Sequence, residues 1–301
     1  MLAILGPTAS GKTSVAVNCA LNFGGEVISA DSRQVYRNMD IGTGKDISEY
    51  TVNGITIPCH LTDIIDAGEK YNVYRYQNDF LKVYKDIKNR KKFPILCGGS
   101  GLYIESILKK YNLTQVPKNQ ELRDKLKDKS QEELIEILKQ KKKDLHNTTD
   151  FDDSRRTIRA IEIEEYIKNH PLEKSPLPEI KTFIVGIKSE RDIRRQRITN
   201  RLKARLKEGM VEEIENLLKS GITPEQLTYY GLEYKFVTLY ITGKMNYEEM
   251  FKKLEIAIHQ FSKRQMTWFR GMERRGIHIN WIDSLTPMEQ KIEIIKNWLN
   301  E

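Results

Sequence analysis

The sequence predicts an α/β fold, a parallel sheet flanked by helices and interrupted by a small all-helical insertion. Three observations predict it. A short apolar run, Leu2-Ala3-Ile4-Leu5, passes through Gly6-Pro7-Thr8-Ala9-Ser10-Gly11-Lys12-Thr13 into helix-compatible text over residues 14–21. Buried-strand text recurs at residues 26–30, 93–97 and 182–187, with helical stretches between, as βαβ units read. Residues 117–178 are charge-dense and helical, contain no good strand, and are flanked by prolines.

The glycine-containing stretch carries the chemistry. It matches G-x-x-x-x-G-K-[ST] at every required position, so the sheet is expected to be P-loop NTPase-like. Gly6 and Gly11 let the backbone curl until successive N–H groups face one anion, and the helix N-terminus adds partial positive charge. Lys12 supplies a point charge to phosphate oxygens, and the Thr13 hydroxyl suits Mg²⁺. Gly6, Pro7, Thr8, Ala9, Ser10, Gly11, Lys12 and Thr13 are therefore the candidate site for a diphosphate or triphosphate.

Taken in order, each further element adds a part. Gly24-Gly25 ends the first helix, and the strand over 26–30 delivers Asp31-Ser32-Arg33-Gln34 at its carboxyl end, the ligand edge of an open α/β sheet. A carboxylate there is a metal ligand, a general base or a helix cap. Residues 36–45 form a glycine-containing loop, and residues 55–61 look strand-like, interrupted by Pro58. Val73, Tyr76, Phe80, Val83, Tyr84 and Ile87 recur at helical spacing, and Lys91-Lys92 closes that helix. After the strand over 93–97, Gly98-Gly99-Ser100-Gly101 opens another helix; it is a second ligand-edge turn or simply a tight turn.

The insertion contains helical text at residues 122–126, 132–142 and 154–169. Asp152-Asp153 offers an N-cap to the last of these, and Arg155-Arg156-Thr157-Ile158-Arg159 follows on its first turns. That face is a solvated basic surface or a lid whose guanidiniums close over phosphates. After the strand over 182–187, Arg197, Arg201 and Arg205 recur every fourth residue beside Ile198, Leu202 and Leu206, which points to an anion clamp next to a packing stripe. The remainder reads as helical, broken at residues 229–234. Its last long helix carries Phe261, Lys263, Arg264, Gln265, Trp268, Phe269 and Arg270, an interleaving of basic and aromatic residues suited to RNA phosphates and unstacked bases, with some of the aromatics in the core.

Bulk properties bound the rest. With 301 residues, 39% hydrophobic and 31% charged, the chain has the composition of a globular protein with one large core and room for an insertion. A net charge of +8 makes a polyanionic partner plausible. Cys19, Cys59 and Cys97 are odd in number and widely spaced, which predicts buried free thiols without disulfides or zinc. No run approaches membrane length and no leader precedes the glycine loop, so a cytoplasmic protein is expected.

A phosphate loop, a carboxylate at the next strand end and two arginine sources suit phosphoryl transfer. They equally suit a reaction in which diphosphate is the leaving group from an attacked carbon. Spacing leaves the two open. The glycine loop, Ile28-Ser29-Ala30-Asp31-Ser32-Arg33-Gln34-Val35-Tyr36-Arg37-Asn38-Met39-Asp40-Ile41-Gly42-Thr43, Gly98-Gly99-Ser100-Gly101-Leu102-Tyr103, Arg155-Arg156-Thr157-Ile158-Arg159-Ala160, the helix of Arg197, Arg201 and Arg205, and Ser262-Lys263-Arg264-Gln265-Met266-Thr267-Trp268-Phe269-Arg270 together resemble the tRNA dimethylallyltransferase family over nearly the whole chain.

The resemblance implies transfer of a dimethylallyl group from dimethylallyl diphosphate to N6 of the adenosine 3′ to the anticodon, with Mg²⁺ as cofactor. By position it implies Asp31 as general base, Thr8 and Arg201 as holders of the diphosphate, and Thr13 as the hydroxyl beside the metal. It implies tRNA contacts at Asp31, Ser32, Arg33, Gln34, Ser100, Arg123, Arg155, Arg156, Thr157, Ile158 and Arg159, to which the basic–aromatic helix adds Lys263 and Arg264. The division expected is a core of residues 1–116 and 181–301 around a tRNA-clamping insertion of residues 117–180, acting as a monomer on the anticodon stem-loop. Three departures from the family pattern stand out: Ser100 for threonine, Gly44-Lys45-Asp46 for Ala-Lys-Pro, and Glu233 where a basic or polar residue is usual. The alternatives are an isopentenyltransferase for free adenine nucleotides, a nucleotide or metabolite kinase, and an RNA-binding protein with a regulatory nucleotide site.

Overall fold

The protein's computed structural model describes residues 1–141, 153–170 and 177–300. Lys142, Asp152 and the prolines at 171 and 176, to which the sequence reading assigned a helix end, a cap and a flank, lie outside the described residues.

In chain order, β1 (Leu2–Leu5) leads through the glycine loop to α1 (Lys12–Phe23) and β2 (Gly25–Ala30). A 3₁₀ turn over Ile47–Tyr50 precedes the short strands β3 (Thr51–Val52), β4 (Ile55–Thr56) and β5 (Cys59–His60). Next come α2 (Val73–Asn89), β6 (Phe93–Gly98) and α3 (Gly101–Leu108). Three helices follow, α4 (Gln120–Leu126), α5 (Gln131–Lys141) and α6 (Ser154–Asn169). The chain then forms β7 (Phe183–Lys188), α7 (Arg191–Lys207), α8 (Met210–Lys219), α9 (Pro224–Leu227) and α10 (Leu232–Ile241). It ends with α11 (Tyr247–Arg274), β8 (Asn280–Asp283) and α12 (Met288–Asn300).

Six strands form one parallel sheet in the order β5-β2-β6-β1-β7-β8. Strand alternation sends Ala3 and Leu5 to one face and Leu2 and Ile4 to the other. On the first face they meet Tyr76, Phe80, Ile104, Ile198, Leu202 and Phe269; on the second, Val15, Val17, Ala20 and Ile295. With helices on both faces the central strands are buried throughout, which explains why they read as continuous apolar runs. This is the P-loop NTPase-like sheet that the glycine loop predicts. Because β1 lies between β6 and β7, the loop after it opens at the point where strand order reverses, where such sheets bind ligands.

Two stretches depart from the sequence reading. The strand-like text over 55–61 divides at Pro58: Ile55–Thr56 folds back on Thr51–Val52 as an antiparallel hairpin, while Cys59 and His60 pair with Val27 and Ile28 at the sheet edge. Proline donates no ladder hydrogen bond, so it separates the two pieces. The region after α7 is not helical throughout, since Asn280–Asp283 pairs in parallel with Val185, Gly186, Ile187 and Lys188. All three cysteines are free, two of them buried and Cys59 half-buried.

The chain divides into two compact units, Met1–Lys110 with Leu177–Glu301, and Tyr111–Pro176. The second begins before residue 117 because Val116 O accepts from Arg159 Nη2 (2.8 Å) and Asn119 N donates to Glu162 Oε1 (2.6 Å). Its core is small, made of Leu126, Leu134, Leu138 and Ile161. Among these apolar residues Glu162 is 2% exposed. Burial alone would raise its pKa, but hydrogen bonds from Arg123, Arg159 and the Asn119 amide bring it down to about 2.

Candidate active site

The chain leaves β1 and turns at once. Ala9 (φ 60°) and Gly11 (φ 81°) hold left-handed backbone there. Such residues interspersed in a turn swing N–H groups to one side and make an anion-binding concavity. Gly11 is the N-cap of α1, and among the described residues no side chain caps that helix. The amides of its first turn are therefore left for an incoming acceptor. Two amides of the loop are already engaged: Thr8 N donates to Gln265 Oε1 (2.8 Å) and Ser10 N to Pro7 O (3.3 Å). The anion-facing amides thus begin later than the expected curl from Gly6 suggested. Burial lowers the pKa of the Lys12 ammonium; Cys97 and Asp31 nearby oppose that, and Arg201 adds to it. Lys12, Asp31 and Arg201 thus share one electrostatic neighbourhood.

At the end of β2, Asp31 Oδ1 accepts from Arg33 N (2.9 Å), an Asx turn that leaves Oδ2 without a bonded group among the described residues. One oxygen is held and the other is open, an arrangement suited to accepting a proton. Ser32 N donates to Ser100 Oγ (3.0 Å), so the second glycine turn supports this loop. Gln34 faces inward, its Nε2 donating to Gly44 O (2.9 Å). Arg33 lies 5.3 Å from the ring centroid of Tyr229, which is 51% exposed.

The arginine row on α7 divides by role. Arg197 Nη1 donates to Ser284 Oγ (3.1 Å) and secures the turn after β8. Arg201 Nη2 donates to Asp46 Oδ2 (2.8 Å), and Arg205 is buried. Thr8, Ala9, Arg201, Arg205 and Glu233 line a cavity of ≈ 20 Å³ between the phosphate loop and α7. The neighbouring loop is anchored from afar: Glu213 accepts from Asp40 N (2.8 Å), Ile41 N (2.7 Å), Gly42 N (3.1 Å) and Tyr234 Oη (2.7 Å). Lys45 is buried against the same loop, paired with Asp40 and Asp63.

Sequence reasoning gave no separate role to Gln265, Glu213, Asp46 or Lys45. Gln265 lies inside a quoted motif, and its second bond, Nε2 to Gly99 O (3.0 Å), ties both glycine turns to α11. Nothing near Glu213 in the sequence signals its distant partners.

The expected RNA contacts fall into two sets. Arg155 and Arg156 are exposed at the start of α6, and Lys263 and Arg264 are exposed on α11. Arg123 and Arg159 instead turn to Glu162 (Arg123 Nη2 at 2.9 Å), Thr157 is buried with its Oγ1 accepting from Gln131 Nε2 (2.9 Å), and Ile158 packs on the small core. Of the C-terminal aromatics, Phe269 is core, while Phe261 is exposed beneath Arg264. Among the described residues no three His, Cys, Asp or Glu side chains converge to hold a metal.

Such a site can grip the phosphates of a donor while Asp31 takes a proton from an acceptor, which defines a P-loop group transferase. The model of the IPP transferase family matches residues 34–272. The chain belongs to that family. It is 58% identical over 301 residues to "tRNA dimethylallyltransferase 2" of Bacteroides fragilis, covering 100% of this chain and 98% of that protein. It is 59% identical to "tRNA dimethylallyltransferase 1" of Porphyromonas gingivalis, over 98% of this chain and 97% of that protein. The crystal structure of the tRNA isopentenylpyrophosphate transferase of Bacillus halodurans superposes with a TM-score of 0.71 at 31% identity, covering 99% of this chain and 95% of that one. No described helix is long and apolar enough to cross a membrane.

Proposed function

We propose that this protein transfers a dimethylallyl group from dimethylallyl diphosphate to N6 of the adenosine 3′ to the anticodon of tRNA, releasing diphosphate. The observation that carries this reading is the open Oδ2 of Asp31 beside the phosphate cradle. Oδ2 accepts a proton from N6 as the N6–C bond forms and the allylic C–O bond breaks. Lys12, the amides opening α1, Thr8 and Arg201 take up the charge developing on the departing diphosphate. Thr13, on the first turn of α1 beside its uncapped amides, carries a hard oxygen donor that fits Mg²⁺. Thr13 is the residue that would hold Mg²⁺, which would supply charge neutralisation to the leaving group.

The tRNA's anticodon stem-loop is the partner, and the enzyme acts as a monomer. Its net charge of +8 favours RNA, as do the exposed Arg155, Arg156, Lys263 and Arg264. Ser100 supports Ser32, and Gln34 shapes the loop, from within the RNA-facing motif. Arg123 and Arg159 act by shaping the helical unit through Glu162, with Thr157 and Ile158 packed beside them. An adenine must leave its stack to reach Asp31, and Arg33 with Tyr229 offers a flat surface close to it. The test is incubation with labelled dimethylallyl diphosphate and either AMP or undermodified tRNA. Label on tRNA is expected, and label on AMP alone refutes the reading.

A further inference from the structure

Arg205 lacks the partners its burial demands. The residue is 8% exposed, one helical turn beyond Arg201. Its Nε and Nη2 have no hydrogen-bond partner among the described residues. Asp46 Oδ2 stands 3.7 Å from Nη2, but its hydrogen bond goes to Arg201. Unsatisfied buried donors are destabilising, and more so when charged, so a retained one calls for an acceptor.

The surroundings say what kind of acceptor. Arg205 shares its small cavity with Thr8 and Ala9 of the phosphate loop and with Arg201. The opposite wall is shaped to admit the guanidinium: a Cβ on Gly44 (φ +69°) would overlap both Arg205 and Nη2 of Arg201. Two guanidiniums on successive turns of one helix can address two phosphoryl groups. Glu233 also lines the cavity, and burial raises its pKa. Glu233 and Asp46 stand near Arg205 without satisfying its Nε and Nη2 among the described residues.

We infer that Arg205 is a second guanidinium of the donor's diphosphate subsite, acting beside Arg201 in the space that Gly44 leaves. The inference rests on the proposed prenyl-transfer reading, and the experiment separates the two. Inorganic pyrophosphate is titrated calorimetrically into the full-length protein, and KM is measured for dimethylallyl diphosphate and for tRNA. Arg205→Met should weaken pyrophosphate and raise the donor KM about tenfold to a hundredfold, leaving the tRNA KM unchanged. Arg205→Lys should recover part of that loss.

A merely structural arginine would lower the melting temperature of Arg205→Met and leave its pyrophosphate affinity untouched, and that result overturns the inference. Wild-type protein that binds no pyrophosphate overturns the proposed function itself. Should Arg205→Met not fold, Arg205→Lys provides the decision: pyrophosphate binding weaker than wild type supports the inference, and unchanged binding overturns it.

Discussion

The helical unit and the phosphate cradle both contain arginines, and they use them in opposite ways. In the helical unit, Glu162 gathers Arg123, Arg159 and the Asn119 amide into a closed set, every charge answered from within the chain. Around the cradle, among the described residues, Arg201 meets one carboxylate, Arg205 lacks hydrogen bonds at two nitrogens, and the first turn of α1 has no side-chain cap. Paired charges hold a fold, whereas buried groups left open mark where a ligand completes the structure. An arginine in a motif therefore says little about its task until its partners are known.

Substitutions can break or sharpen that contrast. The largest effect is expected at Lys12, where Lys12→Ala removes a charge from the leaving group and should lower kcat about 10²–10³-fold in steady-state assays. Its melting temperature should stay within a few degrees of wild type. Glu162→Ala should do the reverse, costing about 3–5 kcal/mol of stability in denaturant titration because it strands two arginines, while the donor KM holds. Gln265→Ala is intermediate: it frees Thr8 N and Gly99 O from α11 and should raise the donor KM about fivefold, equivalent to roughly 1 kcal/mol. The smallest effect is in acid. The Glu162 pKa is depressed from 4.5 to about 2, so its contribution to stability is fully present above 4.5 and lost as pH falls through about 2. Melting curves from pH 7 to pH 3 should show less loss in Glu162→Gln than in wild type.

Much of this was legible in the sequence wherever the signal is local. The glycine loop, the buried strands at β1, β2, β6 and β7, the α2 stripe and the Asp153 cap declare themselves within a few residues. β8 did not, because Asn280-Trp281-Ile282-Asp283 is an edge strand whose state is imposed by pairing with β7. The same holds for the site. Asp31 was readable from its place at a strand end, but its Asx turn and open oxygen were not. Arg197, Arg201 and Arg205 look alike by periodicity and differ only through Ser284, Asp46 and Gly44, which lie far off in the chain. Two of the noted departures from the family pattern, the Gly44-Lys45-Asp46 stretch and Glu233, prove to meet around Arg205.

Asp31 allows the most direct test of the central claim. In a single-turnover reaction of purified protein with dimethylallyl diphosphate and undermodified tRNA, read by mass spectrometry of the tRNA nucleosides, wild type should yield N6-dimethylallyladenosine. Asp31→Asn should bind both substrates normally and form product at least about a hundredfold more slowly. Product formed by Asp31→Asn at the wild-type rate would contradict the account.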